Sequence, residues 1–400
     1  MTKWQEVKLG DVCSSISDTY RRNDKEVVLI NTSDVLDGKI LNHSPVKNEK
    51  LKGQFKKTFQ NNDILYSEIR PANKRFAFVD IPNTNNYIAS TKLMVLRPNT
   101  NKILPKFLYC ILKSDDIINE LQHLAETRSG TFPQITFSAE LAPMEILLPP
   151  LDIQQKIAKV LGALDDKIEL NNKINNNLEQ QAQALFEEYF NKNCETTETT
   201  LGEICKCELG GTPSRTNPEY WGGKIPWINS GEVNNFRIIK PSEYITETGL
   251  EKSATKLLPK KTTVIAITGA TLGQVSLLEI SSCANQSVVG VLPNDGVPYE
   301  FIYPFIKSSI KELVSHQTGG AQQHINKQNV EQMIVKLPQK KLMSEYKNKV
   351  KNIYQLISNN CFENSYLEQL RDTLLPKLMS GEIDVSKVNI SADKLSFTEE

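Results

Sequence analysis

Arginine, asparagine, glutamine and small hydroxyl side chains gather in a few short stretches of this chain, and these are the side chains that contact nucleic acids. In the first half they are SDTYRRND (17–24), with Tyr20, Arg21 and Arg22; EIRPANKR (68–75), with Arg70 and Lys74; and ETRSGT (126–131), with Arg128, Ser129 and Thr131. In the second half they are GGTPSRTNPEYWGGKIP (210–226), with Thr212, Ser214 and Arg215; INSGE (228–232), with Asn229 and Ser230; and QTGGAQQHINKQ (317–328), with Gln322, Gln323 and His324. A guanidinium can fork onto guanine, a carboxamide onto adenine, and Ser, Thr or a glycine N–H onto phosphate. Thr212 and Ser214 are short and suit phosphate, while Arg215 and the glutamines are long and suit base edges. The bland alternatives are a surface ion pair for Arg215 and a solvated loop for the glutamines.

Signatures of catalysis are missing from the same sequence. There is no G-x-x-x-x-G-K-[ST] phosphate loop, no Pro-Pro-Tyr tetrapeptide, no HExxH and no CxxC. TGATLG (268–273) reads as a strand turn, and Asp165-Asp166 has no counterpart in the other half, so it reads as a solvated helix face. The histidines at 43, 123, 316 and 324 are dispersed. Seven scattered cysteines form neither a disulfide framework nor a zinc pattern, and a reducing compartment fits them. The 47 basic residues are balanced by 47 acidic ones, so net charge does not announce nucleic acid, although a basic face can be balanced elsewhere. The lysine-rich stretch 44–57 reads as a solvated loop. No apolar run is long enough to span a membrane and MTKWQEVKLG is no signal peptide, so a cytoplasmic protein is expected.

The polar stretches hang on a framework that is written twice. KLGDVC (8–13) recurs as TLGEIC (200–205), VLINTSDVLDGKI (28–40) as PWINSGEVNNFRI (226–238), and DILYSEIRP (63–71) as TVIAITGAT (263–271). VLRPN (95–99) parallels GVLPN (290–294), KFLYCILKS (106–114) parallels EFIYPFIKS (300–308), and SGTFPQIT (129–136) parallels GGAQQHIN (319–326). Each match is weak, but all keep the same order. ILYSEI, TKLMVLRP, TTVIAIT and SVVGVLP read as short strands. PKFLYCILKSDDIINELQHL and YEFIYPFIKSSIKELVSH read as amphipathic helices.

A Leu-Pro boundary closes each copy, LPPLDIQQKIAKVL at 148–161 and LPQKKLMSEYKNKV at 337–350, and opens a long helical pattern. Pro150 suits a first turn and Asp152 is a favourable anion there. Ile157, Val160, Leu164, Ile168, Ile174, Leu178, Leu185 and Tyr189 make an apolar stripe that misses one position, Asn171. That residue is either a buried, register-fixing Asn or part of a loosened turn. The second pattern carries Val350, Ile353, Ile357, Leu367, Leu370, Leu374 and Leu378, with its break at SNNC (358–361). Forty helical residues span about 60 Å, and so narrow a stripe is not stable alone in water. The two helices are therefore expected to pair with each other. The expected fold is α+β: similar α/β globules at 1–147 and 193–336 (linker 193–199), separated by two long antiparallel helices, 148–192 and 337–380. These helices would form a coiled-coil spacer, with a tail at 381–400 and a pseudo-twofold internal repeat.

LPPLDIQQKIAKVLGALDDKIELNNKINNNLEQQAQALFEEYF resembles the central conserved region of the specificity subunit of Type I restriction-modification enzymes. LEQLRDTLLPKLMSGEI (367–383) is similar to that family's C-terminal conserved region, and LGGTPSRTNPEYWGGKIPWINSGEV (209–233) to the start of its target recognition domains. The first half has SDTYRRND in place of the Gly-Thr-Pro-Ser loop. The resemblance implies that each globule is a target recognition domain reading one half of a bipartite, asymmetric site on double-stranded DNA. It implies helices that set the spacer length and dock two modification (methyltransferase) subunits. It implies no catalysis and no cofactor in this chain. The modification subunits would bring S-adenosylmethionine, and restriction (endonuclease) subunits would bring ATP and magnesium; no membrane is involved. An adenine that must leave the duplex also implies recognition of distorted DNA. Two rivals stand beside this reading. One is an interaction scaffold that does not bind DNA. The other is a fused restriction-methylation enzyme, for which WQEVK (4–8) offers an ExK but no preceding aspartate.

Overall fold

The computed structural model describes residues 4–49, 53–128, 132–190, 195–316 and 325–385. The chain forms two compact units, Met1–Asp166 with Leu367–Glu400, and Lys167–Tyr366. The boundary cuts both long helices, Leu151–Phe190 and Lys340–Met379. Each unit is thus one globule with its own pieces of both helices.

In the first unit the opening strand Gln5–Lys8 pairs antiparallel with the closing strand Glu145–Leu148. One four-stranded sheet runs Cys13–Ile16, Leu93–Pro98, Ile64–Ser67, Phe76–Phe78, and the other runs Val46–Lys47, Glu26–Ile30, Tyr87–Ser90, Phe55–Lys57. Side chains alternate across a strand, and both faces of the first sheet are buried. Ile64, Tyr66, Met94 and Leu96 face the helices Pro105–Leu112 and Asp115–Arg128, while Leu65, Leu93 and Val95 join Val28 and Ile30 beneath the second sheet. Burial on both faces explains why ILY reads as an unbroken apolar run.

The second unit repeats the plan. Thr196–Thr200 pairs antiparallel with Ile334–Pro338, so the expected linker 193–199 is in part the opening strand of the unit, as its β-favouring threonines permit. The doubly buried sheet runs Lys206–Leu209, Val288–Leu292, Thr263–Ala266, Val275–Leu277, and a three-stranded sheet runs Glu243–Ile245, Trp221–Ile228, Cys283–Ala284. The expected single helix over 105–124 breaks at Lys113-Ser114: Ser114 Oγ donates to the Ile111 carbonyl (2.7 Å) and caps the next segment at Ile117 N (3.4 Å). Its counterpart, Tyr299–His316, is continuous through Pro304.

Within the second unit the pieces of the long helices run antiparallel, Asn171 meeting Asn364 and Asn175 meeting Asn360. Asn171 and Asn175 are 1% and 2% exposed, whereas Ile174, expected on the stripe, is 37% exposed. The seam therefore passes through asparagines, whose amides satisfy one another: Asn171 Nδ2 to Asn364 Oδ1, Asn364 Nδ2 to Asn172 Oδ1, and Asn360 Nδ2 to Asn175 Oδ1, each 2.9 Å. Within the first unit Ile153, Ile157 and Leu161 share a core with Leu375 and Leu378.

Candidate nucleic-acid interface

The best-matched piece of the two units is a β-hairpin. In the first, Ile64 lies opposite Phe78 and Tyr66 opposite Phe76; in the second, Thr263 lies opposite Leu277 and Ile265 opposite Val275. The turns between are equally long and close alike, Ser67 N donating to Arg75 O (2.8 Å) and Ala266 N to Gln274 O (3.0 Å). Each turn receives the segment that follows the helix: Ile135 N donates to Glu68 O (2.8 Å), and Ile325 N to Ile267 O (3.1 Å). The fold therefore places Arg70 beside 132–135. Ser129, Thr131, Gln322, Gln323 and His324 lie outside the described residues.

Arg70 is exposed, and its backbone N–H donates to Pro133 O (3.2 Å). Lys74 Nζ is 3.0 Å from Asp115, with both side chains open to solvent. Arg128 pairs with Glu140 at 3.0 Å, whose other oxygen accepts from the Thr136 backbone N–H and hydroxyl. In SDTYRRND, Tyr20 OH donates to Asp24 (2.7 Å), while Arg21 and Arg22 are exposed.

The Gly-Gly-Thr-Pro-Ser loop is built differently. A Cβ at Gly210 would collide with the Asn285 and Ala284 carbonyls, and one at Gly211 would sit 2.7 Å from backbone at Ala254 and Thr255. The glycines thus allow the loop to lie against the neighbouring chain. Two indoles latch it, Trp227 Nε1 donating to Gly211 O (3.1 Å) and Trp221 Nε1 to Ser214 O (3.2 Å). Thr212 Oγ1 bonds Gln286, and Ser214 Oγ bonds Thr216. Arg215 stacks 3.6 Å from the Trp221 ring centroid and forks onto both Glu243 oxygens at 2.6 Å. That bond holds the Glu243 carboxyl below its usual range. Arg215 is an ion-paired surface residue in the free chain, so reading a base would require it to leave Glu243. Asn229 and Ser230 open a 3-10 helix: Asn229 Oδ1 accepts from Gly231 N (2.7 Å) and Glu232 accepts from Asn229 N (2.8 Å). Asn31 and Asp34 form the same device in the first unit, so the asparagine of this motif, Asn31 or Asn229, has a local structural duty in each copy.

The sequence reasoning missed a buried ionic network behind the second unit's surface. The Arg237 side chain is fully buried; it donates to Glu179 on the first long helix (2.6 Å) and to Tyr303 OH (3.0 Å). Lys307 Nζ takes the other Glu179 oxygen at 2.7 Å. Burial works to raise the Glu179 pKa, but Arg237 and Lys307 together hold it below its usual value. A second knot joins Lys261 to Glu279 (2.7 and 2.8 Å), and Glu279 accepts from Ser358 on the second long helix (2.8 Å). The first unit uses Lys113, the repeat counterpart of Lys307, which reaches Asp165 at 2.5 Å, with Arg371 at 2.9 Å from the same carboxylate. Tyr109-Lys113 and Tyr303-Lys307 keep the same one-turn spacing and cation–π stacking, at 5.1 and 5.4 Å. That spacing inside KFLYCILKS and EFIYPFIKS was the legible trace of these anchors.

Among the described residues, no group of three or more His, Cys, Asp or Glu could hold a metal. Burial pushes the Cys13, Cys205 and Cys207 thiols up to about 12 and Cys110, Cys283 and Cys361 to about 11, which disfavours a nucleophilic thiolate. No described helix is long and apolar enough to cross a membrane. The arrangement offers cations, amides and hydroxyls on shared scaffolds, which is recognition chemistry.

Comparison with known proteins gives the same direction. The family model for the Type I restriction modification DNA specificity domain matches twice, over residues 1–180 and 193–370. The Type I restriction enzyme HindI specificity subunit of Haemophilus influenzae is 33% identical, over 96% of this chain and 100% of that protein. The MjaIX specificity subunit of Methanocaldococcus jannaschii is 26% identical, over 72% of this chain and 71% of that protein. The crystal structure of the Type-I restriction-modification system S subunit from M. genitalium shares the fold, with a TM-score of 0.56 at 19% identity, over 94% of this chain and 96% of that one.

Proposed function

Because the chain belongs to the Type I restriction modification DNA specificity family, we propose that each of its globules reads one half of a bipartite, asymmetric site on double-stranded DNA. The observation that carries this is the doubled hairpin, identical in register but different in the residues it presents. A shared frame with divergent exposed positions is how one module reads two different half-sites. Arg70, Lys74, Arg128, Arg21 and Arg22 are the contacts proposed for the first half-site. Arg215, Thr212, Ser214 and the Gln322–His324 segment are those proposed for the second, with Arg215 exchanging Glu243 for DNA.

The long helices serve as spacer and dock. Leu170, Ile174, Leu356, Phe362 and Tyr366 are large apolar side chains left exposed on the second unit's helical pieces, a surface suited to the methyltransferase subunits. The chain supplies recognition and its partners supply chemistry: S-adenosylmethionine with the modification subunits, ATP and magnesium with the restriction subunits. The test is to replace 200–336 by the matching globule of a relative and sequence adenine methylation in the host. One half-site should change completely while the other is retained; a change in both would show that the modules are not independent readers. Loss of DNA binding only at raised salt is also expected, whereas a scaffold would show no salt-dependent binding at all.

A further inference from the structure

The matched hairpins share three left-handed backbone positions. They are Asn62, Arg70 and Lys74 in the first unit (φ 69°, 46° and 51°), and Lys261, Gly269 and Gly273 in the second (φ 70°, 71° and 80°). The ladder register fixes this correspondence, since Ile64 and Phe78 occupy the places of Thr263 and Leu277. Glycine adopts this conformation freely and asparagine tolerates it, but long side chains are disfavoured there. Lys261 has a compensating role, for its ammonium is spent on the buried Glu279. Arg70 and Lys74 do not: Arg70 is exposed, and Lys74 meets only the solvated Asp115 among the described carboxylates. The turn between them is nonetheless held from three sides. Ala72 N donates to Gln122 Oε1 (3.1 Å), Arg70 N to Pro133 O (3.2 Å), and Asp37 N to Lys74 O (2.8 Å). Strain that the surroundings hold in place at an exposed turn, where the internal repeat chose glycine, calls for a functional reason.

Resting on the DNA-reading function above, we infer that Arg70 and Lys74 are held in left-handed backbone to present two cations to the phosphates flanking the first half-site. The second unit contributes no such pair at its matching turn. Phosphate rather than base is assigned because the pair is doubly cationic and its backbone is fixed by the bonds at Arg70, Ala72 and Lys74. The Lys74–Asp115 pair is a surface contact that a phosphate can replace.

The test uses the full chain assembled with its modification subunits, wild type and Arg70→Gly/Lys74→Gly, on two duplexes of equal length. One carries the site methylated in the host, the other an unrelated sequence. The variant should melt about 1–4 °C higher, because glycine relieves the strain. It should bind both duplexes more weakly, with the slope of log affinity against log salt reduced by about two. Arg70→Lys/Lys74→Arg should keep both slope and affinity. A higher melting point with unchanged slope would overturn the inference, as would a lower melting point or a loss of preference at a single base position. Absence of salt-dependent binding by the wild-type complex would instead remove the DNA-reading function itself.

Discussion

The two units build one frame and fasten it to the long helices in opposite ways. The second uses charges withdrawn from solvent: Arg237 is fully buried against Glu179, and Glu279 is 2% exposed between Lys261 and Ser358. The first uses Asp165, whose side chain is 32% exposed, shared by Lys113 and Arg371. A buried ion pair is weak evidence of net stabilisation, but removing one partner strands the other without water. A solvated pair can lose a partner at little cost. The sensitive cation of the second copy is Arg237, with a fully buried side chain, and not the repeat lysine: the Lys307 side chain is 42% exposed and that of its counterpart Lys113 is 9% exposed.

The contrast breaks most sharply at Glu179. Glu179→Ala should cost about 3–5 kcal/mol, because the fully buried Arg237 side chain loses its counter-charge; Asp165→Ala should cost less, about 1–3 kcal/mol, because Asp165 is itself 32% exposed even though the Lys113 side chain it leaves is 9% exposed. Urea unfolding of both variants measures this, and equal losses would remove the distinction. Next in size is Arg215→Ala, expected to weaken DNA binding by about 1–3 kcal/mol and to relax one position of the second half-site. Selection on randomised duplexes reads both effects; unchanged affinity and preference would take Arg215 out of the interface. Ser358→Ala should cost about 1–2 kcal/mol, since it removes one of the bonds to a buried carboxylate, with Lys261 still compensating the charge.

Acid sharpens the comparison further. The folded pKa of Glu179 lies below its unfolded value, so its contribution is present above the ordinary carboxylate range and is lost as pH falls through the folded value. The second unit should therefore keep this contribution through mild acid and lose it only below the ordinary carboxylate range, and Glu179→Gln should remove that part of the pH dependence. Melting curves followed from neutral pH to well below about pH 4 decide it; an identical acid slope in the variant would assign the effect to other groups.

Much of the frame was legible because its strands are buried on both faces and so read as matching apolar runs, DILYSEIRP against TVIAITGAT. The register of that hairpin was not: the repeat sets Asp63 against Thr263, whereas the ladders set Ile64 against Thr263, a one-residue shift that exchanges the two faces of a strand. The seam of the long helices was legible only in outline. An apolar pattern draws the eye to Ile174, yet the partner helix supplies amides, and only pairing reveals that Asn175 is the buried residue. The split at Ser114 escaped because both flanking segments keep the same amphipathic pattern, and a single hydroxyl capping both ends decides the matter. Arg237 and Glu179 were invisible for a different reason: nothing local marks a charge whose partner lies 58 residues away. Among the candidate contacts, the sequence did not distinguish Asn229, which caps a turn, from Arg215, which stands over Trp221.

The first unit is assembled from both ends of the chain, Met1–Asp166 and Leu367–Glu400. On the ribosome this sets a waiting time. The first globule can close once Glu145–Leu148 has emerged to pair with Gln5–Lys8. The places that Leu375 and Leu378 fill beside Ile157 and Leu161 stay empty until the second unit has been made and those leucines have followed it. At about 5–20 residues per second, the roughly 200 intervening residues take on the order of 10–40 seconds. The second unit, a continuous segment, meets no comparable delay, so the part synthesised first is the part completed last.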